Sequence, residues 1–357
     1  MHKFVRVMAR VTGVVVVFLL GVLAFSAYRY SGFMAIDVSH GVNEAGYVRI
    51  GGIDQWVQIR GDDRHNPVLL WLNGGPGFTT IPATVLVRDW EREFTVVMWD
   101  QRGEGRTFNK SGAPGQGPMT VERMTEDGIE LSQYLRDHLH QKKIVILGHS
   151  WGSILGVRMA MARPDLFFAY VGTGQVTSLA TNAVTVYPLL RARAHVRGNI
   201  AAESELKAVG PPPYDVPKKN WVWISWANRL DPGRKPLPLS MWLPWALVKS
   251  TIDERDSGAG VQFSQQTLLE PLLRTDLPSL GYVFQVPVVM IQGSDDLVMS
   301  AVLAKNYFEK ISAPHKEFIL LRGDGHMAIA RDRYAFLEAL VKHVRPLVVL
   351  PEHAPTY

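Results

Sequence analysis

Short apolar runs alternate with stretches of helical hydrophobic spacing along most of this 357-residue chain. Apolar runs predict buried strands, and they occupy residues 55–59, 67–72, 94–99, 144–147, 168–173, 286–291 and 317–321. Between two of these runs, Met124, Leu131 and Leu135 recur at helical spacing and predict a helix. Strands that alternate with helices in this way predict an α/β fold with a mostly parallel, doubly wound sheet.

The alternation breaks between residues 176 and 285, where prolines and tryptophans accumulate. Five of the ten tryptophans lie there: Trp221, Trp223, Trp226, Trp242 and Trp245. We therefore predict an N-terminal segment over 1–30, a core in two parts over 40–175 and 286–350, and a helical cap inserted over 176–285. Packing inside the cap explains its tryptophans, and an additional interpretation makes Trp223 and Trp226 substrate-binding residues in an apolar pocket.

A Gly-His-Ser-Trp-Gly sequence at residues 148–152 directly follows the apolar run 144–147. A serine hydroxyl must be exposed, aimed and deprotonated before it acts as a nucleophile, and a sharp strand-to-helix turn provides the first two conditions. Glycines are needed beside such a turn because side chains would clash there. The pattern predicts that Ser150 is a catalytic nucleophile; the alternative is an ordinary strand–turn–helix junction.

Two later strands end in turns that carry acids and a histidine. Residues 293–296 read Gly-Ser-Asp-Asp, and residues 323–326 read Gly-Asp-Gly-His. The chain order of serine, acid and histidine is that of α/β hydrolases and differs from the chymotrypsin-like and subtilisin-like orders. We predict His326 as the general base and Asp296 as the acid that orients it, with Asp295 and Asp324 as turn residues.

A glycine-rich loop, Asn-Gly-Gly-Pro-Gly at residues 73–77, follows the predicted strand 67–72. Glycines there allow backbone N–H groups to approach a substrate oxygen closely. One N–H group of this loop and that of Trp151, the residue after the nucleophile, would form a two-donor oxyanion hole.

Together these motifs resemble those of the proline iminopeptidases. Residues 73–77 are similar to the family's His-Gly-Gly-Pro-Gly, and residues 148–153 to its Gly-Gly-Ser-Trp-Gly-Ser. Residues 100–107, Asp-Gln-Arg-Gly-Glu-Gly-Arg-Thr, resemble its Asp-Gln-Arg-Gly-x-Gly-x-Ser. The resemblance spans about residues 68 to 330. It implies an α/β-hydrolase fold, aminopeptidase activity, Asp296 as the acid, and an oxyanion hole formed by Gly75 and Trp151.

The sequence also departs from the family pattern. Asn73 replaces the usual histidine and Thr107 the usual serine. Ala227 stands where the family resemblance implies a cap glutamate that binds the substrate's free amine. An ammonium group in a partly dry pocket needs a counter-charge, so this change weighs against exopeptidase activity. Asp231, Glu203 and Glu205 are the alternative sources of that counter-charge, although each is expected to be a solvated surface charge.

The N-terminus carries a second distinct feature. Lys3, Arg6 and Arg10 precede the eighteen uncharged residues 11–28. As a helix this run would measure about 27 Å, just enough to cross a bilayer core. Its length favours an uncleaved anchor over a cleaved signal peptide. The basic flank predicts a cytoplasmic N-terminus and a catalytic domain on the outer, periplasmic or extracellular side; the alternative is secretion after cleavage.

The amino-acid composition excludes several kinds of functional site. The chain has no cysteine, so thiol chemistry and disulfides are excluded. The net charge of +5 is scattered, and neither nucleic-acid binding nor a metal site is predicted. No cofactor is expected.

We therefore expect a serine hydrolase that forms an acyl-enzyme from an amide or ester with an apolar acyl part. A proline iminopeptidase-type aminopeptidase acting on small molecules or short peptides is the first hypothesis. A carboxylesterase or lactone-type hydrolase that needs no free amine is the second. A non-catalytic binding protein on the same fold is a more remote one. The sequence leaves the oligomeric state open.

Overall fold

The computed structural model describes residues 2–214, 217–231 and 254–348. Within these ranges eight strands form one sheet in the order β1-β2-β4-β3-β5-β6-β7-β8. The strands are β1 (Val42–Ile50), β2 (Ile53–Gly61), β3 (Val68–Leu72), β4 (Thr95–Asp100), β5 (Ile144–His149), β6 (Phe167–Thr173), β7 (Val288–Gly293) and β8 (Lys316–Leu321). Strands β3 to β8 are parallel, whereas β2 pairs antiparallel with both β1 and β4. The predicted mostly parallel sheet is confirmed.

Helices connect the parallel strands and flank the sheet. They are α1 (His2–Met34), α2 (Gly105–Ser111), α3 (Val121–His138), α4 (Trp151–Ala162), α5 (Leu179–Val196), α6 (Ile200–Val209), α7 (Pro217–Leu230), α8 (Glu254–Leu273), α9 (Ala301–Lys310), α10 (Ala328–Arg331), α11 (Arg333–His343) and α12 (Arg345–Val348). Short 3-10 turns cover Ile81–Leu86, Arg88–Arg92, Ala113–Gln116, Pro164–Leu166 and Leu277–Leu280.

The sheet is buried on both faces, which explains why its strands are continuous apolar runs in the sequence. In β3, Leu70 and Leu72 point into one buried apolar cluster, and Leu69 and Trp71 point into the other. β1 is different, because it is an edge strand with largely exposed positions between buried ends. Its mixed polarity is the reason that the sequence pattern did not predict it.

Helices α5 to α8 lie between β6 and β7 in the chain and pack against one another, and α5 and α8 also bond to loops that follow the parallel strands. In α8, the Ser264 hydroxyl donates a hydrogen bond of 2.9 Å to the carbonyl oxygen of Gly103, directly after β4. The division of the chain into segments 1–30, 40–175, 176–285 and 286–350 stays a prediction. Two of the predicted cap tryptophans, Trp242 and Trp245, and the last two residues of segment 286–350 lie outside the described residues.

The carboxyl end of α1 is joined to the sheet domain by two arginines. Arg88 donates hydrogen bonds to the carbonyl oxygens of Phe33 (2.9 Å) and Ala35 (2.8 Å), and Arg60 donates to that of Met34 (2.7 Å). Cationic groups are favourable at a helix carboxyl terminus because they complete its free carbonyl groups. The segment Arg10–Met34 has a mean hydropathy of 2.3 and is long enough to span a bilayer. A signal sequence has the same properties.

Candidate active site

Ser150 lies at the turn between β5 and α4 and has φ 52° and ψ −120°. Positive φ is costly for a residue with a side chain, so such a conformation persists only where the surroundings fix it. The Ser150 N–H donates to the Thr173 carbonyl oxygen at 3.0 Å, and its own carbonyl oxygen accepts the Ser153 N–H at 2.9 Å. These bonds hold the strained turn and leave Ser150 at the edge of the sheet where the parallel strands end.

The glycines on either side of Ser150 are required by close packing. A side chain at Gly148 would place its Cβ 2.7 Å from the Ser153 Cα, and one at Gly152 would overlap the Leu72 carbonyl oxygen. Any other residue there would force the turn away from the end of β3. The Gly-x-Ser-x-Gly spacing is therefore explained by the geometry of the turn.

Asp296, three residues beyond β7, is buried and accepts four hydrogen bonds. Its Oδ1 accepts the N–H groups of Val298 (2.8 Å) and Met299 (2.7 Å). Its Oδ2 accepts from Gln292 Nε2 at 3.0 Å and lies 2.9 Å from Nδ1 of His326. The carboxylate of Asp296 therefore contacts the ring of His326 directly.

The other two acids have different surroundings. The carboxylate of Asp295 accepts the Ser294 hydroxyl at 2.8 Å, and its N–H donates to the Asp324 carbonyl oxygen at 2.8 Å. Asp295 and Asp324 therefore join the two turns through their backbone, as turn residues do.

The electrostatic surroundings of His326 favour its charged form. Burial alone would lower the pKa of the ring, but the charge and hydrogen bond of Asp296 raise it, and the charge of Asp231 adds to this. Arg331 has the opposite, smaller effect, and the net result is a raised pKa. A histidine with these partners is suited to accept a proton during a reaction.

His326 and Ser150 face the same short segment after β6. Ser150 is bonded to Thr173, and a side chain at the next residue, Gly174, would place its Cβ 2.8 Å from Cε1 of His326. Among the described residues, the Ser150 hydroxyl makes no hydrogen bond to His326. Catalytic hydrogen bonds in free enzymes are often long and tighten only when substrate binds.

His149 fills the space behind this pair as a neutral group. Its ring centroid lies 5.0 Å from that of His326, and its Nε2 lies 3.1 Å from the His326 carbonyl oxygen. Burial and the nearby His326 lower the pKa of His149 to about 3. At neutral pH the His149 ring is uncharged, so its Nε2–H donates to that carbonyl group.

The glycine-rich loop lies directly against Ser150. A side chain at Gly74 would place its Cβ 3.2 Å from the Ser150 Cβ. Gly75 has φ 144°, a conformation that strongly favours glycine. Within the described part of the chain, the N–H groups of Gly75 and Trp151 have no hydrogen-bond acceptor. Two free donors beside a nucleophile are what an oxyanion hole requires.

A buried hydrogen-bond network joins these two donor segments. Gln101 Nε2 donates to the Asn73 side-chain oxygen at 2.8 Å, and the Trp151 indole N–H donates to Gln101 Oε1 at 3.3 Å. Glu104 accepts from Asn73 Nδ2 (2.8 Å), from the Gln101 N–H (3.0 Å) and from the Gly77 N–H (3.2 Å). Burial raises the pKa of Glu104 well above its usual value, and nearby Asp100 raises it further.

The sequence alone assigns no role to Gln101 or Glu104. Both lie in the Asp-Gln-Arg-Gly-x-Gly segment, which the sequence indicates only as part of a family pattern. The available signal for a buried polar network is an acid between two glycines, with an amide three residues before it.

The structure places Trp223 and Trp226 in the packed interior of the cap helices. Trp223 is fully buried and its indole N–H donates to Asn220 Oδ1 at 3.1 Å. Trp226 is 6% exposed and donates to Glu205 at 2.9 Å. A cavity of about 300 Å³ is instead lined by Trp221 of the same helix, together with Gly258, Val261, Gln262, Gln265, Gln266 and Leu269 of α8. The described surroundings of Trp223 and Trp226 give both a packing role.

The expectation that Asp231 is a solvated surface charge is wrong. It is 4% exposed and accepts the backbone N–H of His326. Its position follows from packing between α7 and the loop after β8, which a linear sequence does not reveal. The Glu203 carboxylate lies 3.1 Å from Nδ1 of His195. Glu203 is partly exposed to solvent and Glu205 is exposed. Ala227 is fully buried.

Potential metal ligands are not clustered in the part of the chain that the structure describes. Among those residues, no group of three or more His, Cys, Asp or Glu side chains is arranged to hold a metal ion.

Residues 67–331 match the family model for the alpha/beta hydrolase fold, so the chain belongs to the α/β-hydrolase family. Among curated proteins, it is 29% identical over 309 residues to the "Probable aminopeptidase YbaC" of Bacillus subtilis, covering 83% of this chain and 94% of that one. It is 23% identical over 307 residues to the "Proline iminopeptidase" of Lactobacillus helveticus, covering 80% and 93%.

A similar fold is found in a solved structure. The proline iminopeptidase-related protein from Thermus thermophilus superposes with a TM-score of 0.60 at 20% identity, covering 87% of this chain and 99% of that one. The predicted resemblance to proline iminopeptidases is confirmed at the level of family and fold.

Proposed function

We propose that this protein is a serine hydrolase that forms an acyl-enzyme on Ser150, with His326 as the general base and Asp296 as the acid. The observation that carries the proposal is the buried Asp296–His326 pair, 2.9 Å apart, beside a nucleophile turn with φ 52°. A buried carboxylate on Nδ1 keeps the proton there and leaves Nε2 free to accept another.

The reaction proceeds in two halves. In the first, Ser150 Oγ attacks the carbonyl carbon of the substrate while its proton passes to Nε2 of His326. The oxygen that becomes negative is bound by the N–H groups of Gly75 and Trp151. The C–N or C–O bond then breaks, and His326 gives its proton to the departing amine or alcohol. In the second half, water loses a proton to His326 and attacks the ester carbonyl carbon, the bond from that carbon to Ser150 Oγ breaks, and His326 returns the proton to Ser150 as the acid leaves.

An aminopeptidase of the proline iminopeptidase type is the substrate class that the relatives support. The two curated relatives described above are named as an aminopeptidase and a proline iminopeptidase, and the matches cover 94% and 93% of their lengths. The substrate would be a small amide or short peptide whose N-terminal residue forms the acyl part.

Ala227 favours a second candidate, an esterase or lactone-type hydrolase that needs no free amine. The side chain at this position is apolar and fully buried, so it offers no counter-charge to an ammonium group.

Labelling with a fluorophosphonate tests the serine mechanism. The wild-type protein is expected to form a stable adduct and Ser150→Ala to form none. Ser279→Ala, at an exposed serine of the 3-10 turn Leu277–Leu280, is the control and should label like the wild type. Equal labelling of wild type and Ser150→Ala, or no labelling of the wild type, would contradict the proposal and support a non-catalytic binding protein.

Comparison of three substrate types distinguishes the two candidates. The wild-type enzyme is assayed with prolyl and alanyl anilides, with N-acetylated forms of the same anilides, and with aryl esters. Loss of turnover on blocking the amine supports the aminopeptidase. Equal or greater turnover of blocked substrates and esters supports the esterase.

We propose that α1 remains as a membrane anchor and that the catalytic domain lies on its outer side. The support is the apolar run of α1 together with the basic residues that precede it. N-terminal sequencing of the protein from washed membranes is expected to begin near Met1, and added protease should digest the domain from the outer side only. Recovery of a soluble form cleaved near the small residues Ala24 and Ser26 of the apolar run would favour secretion.

A further inference from the structure

Asp231 connects the cap to both turns that carry the proposed base and acid. It directly follows α7 and is 4% exposed. The backbone N–H of His326 lies 3.2 Å from its Oδ1 and 3.1 Å from its Oδ2. The backbone N–H of Leu297, the residue after Asp296, is close enough to lower the pKa of the same carboxyl group. The Asp231 carboxylate therefore lies close to the backbone at both His326 and Asp296.

The packing around this carboxylate is tight. A side chain at Gly325, directly before His326, would overlap both carboxylate oxygens of Asp231. The turn that carries His326 approaches Asp231 this closely because residue 325 is a glycine. The contact is therefore part of the packed structure and is not the chance approach of a surface acid.

Placing an acid here is energetically costly, so packing alone does not account for it. Burial and the neighbouring Asp296 raise the pKa of Asp231, and the two backbone hydrogen bonds and the charge of His326 oppose this. A buried carboxylate whose partners are backbone N–H groups is retained where its hydrogen bonds serve a structural or functional purpose.

We propose that Asp231 is a positioning residue that fixes the His326 turn and the Asp296 turn relative to each other and links their geometry to the cap. This inference rests on the proposed serine mechanism. Asp231 acts through the backbone of the two turns, and the chemistry remains that of Ser150, His326 and Asp296.

The charge of Asp231 gives the role a measurable signature. Asp231 and Asp296 both favour protonated His326, whereas Arg331 disfavours it and His149 is neutral. Removing the negative charge of Asp231 therefore lowers the pH at which His326 loses its proton. Because the base must be neutral to accept the serine proton, the acid limb of kcat/KM should move to lower pH.

The test compares Asp231→Asn with the matched cap variant Glu203→Gln, using an aryl ester that has no amine. Asp231→Asn is expected to reduce kcat by about a hundredfold, since small misplacements of catalytic groups have effects of this size. KM should change little and the acid limb should shift to lower pH. Glu203→Gln, whose carboxylate pairs with exposed His195, should match the wild type. Unchanged kcat and pH profile in folded Asp231→Asn would overturn the proposal.

Two further measurements distinguish a positioning role from substrate binding and from failure of the serine mechanism. Gly325→Ala displaces the Asp231 carboxylate without removing its charge and should reduce kcat as well; normal activity in this variant would contradict the positioning role. If Asp231→Asn loses only substrates with a free amine, Asp231 binds the substrate ammonium and the proposal fails. Failure of the wild type to label with fluorophosphonate refutes the serine mechanism itself and is recognised before any Asp231 variant is made.

Discussion

Asp296 Oδ2 lies 2.9 Å from Nδ1 of His326, and both side chains are almost entirely buried. This contact determines which ring nitrogen carries the proton when the histidine is neutral: Nδ1–H donates to the carboxylate and Nε2 is left as the basic atom. The remaining oxygen of Asp296 is held by the N–H groups of Val298 and Met299. The acid is therefore fixed in place by its own turn.

Substitution of Asp296 by asparagine should leave the fold intact and remove most of the activity. An amide in this position stabilises the wrong tautomer of His326 and gives no compensating charge to the imidazolium, and the same change reduces kcat by about 10⁴-fold in a chymotrypsin-like protease. The measurement is kcat on the best ester or anilide substrate.

Asp295→Asn is the control for this substitution, because the neighbouring acid bonds Ser294 and not the histidine. We expect it to retain nearly normal kcat. Equal losses in both variants would mean that the turn as a whole, and not the Asp296–His326 contact, supports activity.

The pH profile should report the raised pKa of His326. Its ordinary value is 6.5, and Asp296 with Asp231 outweighs burial to raise it. In the proposed mechanism the neutral ring is the base, so kcat/KM should fall as the pH drops through a value above 6.5. The same shift stabilises the folded protein below the unfolded pKa, a contribution that is lost as the pH rises through the folded one.

Asp296→Asn gives the check on this profile. Without the carboxylate, burial dominates and the residual activity should extend to lower pH. His149 does not contribute to the limb, since its pKa of about 3 keeps it neutral. An acid limb at or below 6.5 in the wild type would contradict the raised pKa of His326.

The sequence predicted those parts of the site that depend on local order in the chain. The strand before Ser150 was visible because both sheet faces are buried, and the serine, acid and histidine each follow a strand. The edge strand β1 was missed because polar residues are exposed on both of its faces, such as Glu44 and Arg49.

Contacts between distant segments were not predictable in the same way. Asp231 precedes a proline and follows a polar helix end, which is typical of a surface acid, and only the packing of α7 against the His326 turn buries it. For Trp223 and Trp226, composition gave the aromatic content of the cap but not which indoles would face a cavity. These outcomes depend on tertiary packing.

Glu104→Gln should weaken catalysis by disturbing the oxyanion loop. The two carboxylate oxygens of Glu104 accept hydrogen bonds from Gly77, Asn73 and Gln101. A glutamine side chain has only one oxygen that can accept, and its NH₂ group would face one of these donors. We expect kcat to fall by up to about a hundredfold, because the donors must be aimed where charge develops. Steady-state kinetics with one substrate and the melting temperature are measured together.

Glu130→Gln is a matched control, since Glu130 also accepts a glycine N–H, that of Gly51 at 2.9 Å, but at the surface. It should show wild-type kcat. A Glu104→Gln protein with unchanged kcat would show that the network stabilises the fold without setting the loop.

Gly152→Ala should destabilise the protein by about 1–3 kcal/mol and also reduce fluorophosphonate labelling, because overpacking a closely packed site forces the backbone to move. The added methyl group would overlap the Leu72 carbonyl oxygen and lie 2.7 Å from that of Asn73, so the turn that carries Ser150 must shift from the oxyanion loop. Gly46→Ala is the control: its Cβ meets no atom within 4 Å, and its effect should stay within about 0.5 kcal/mol. Denaturant unfolding and labelling rates measure both effects, and normal labelling of Gly152→Ala would contradict the close fit proposed between the two segments.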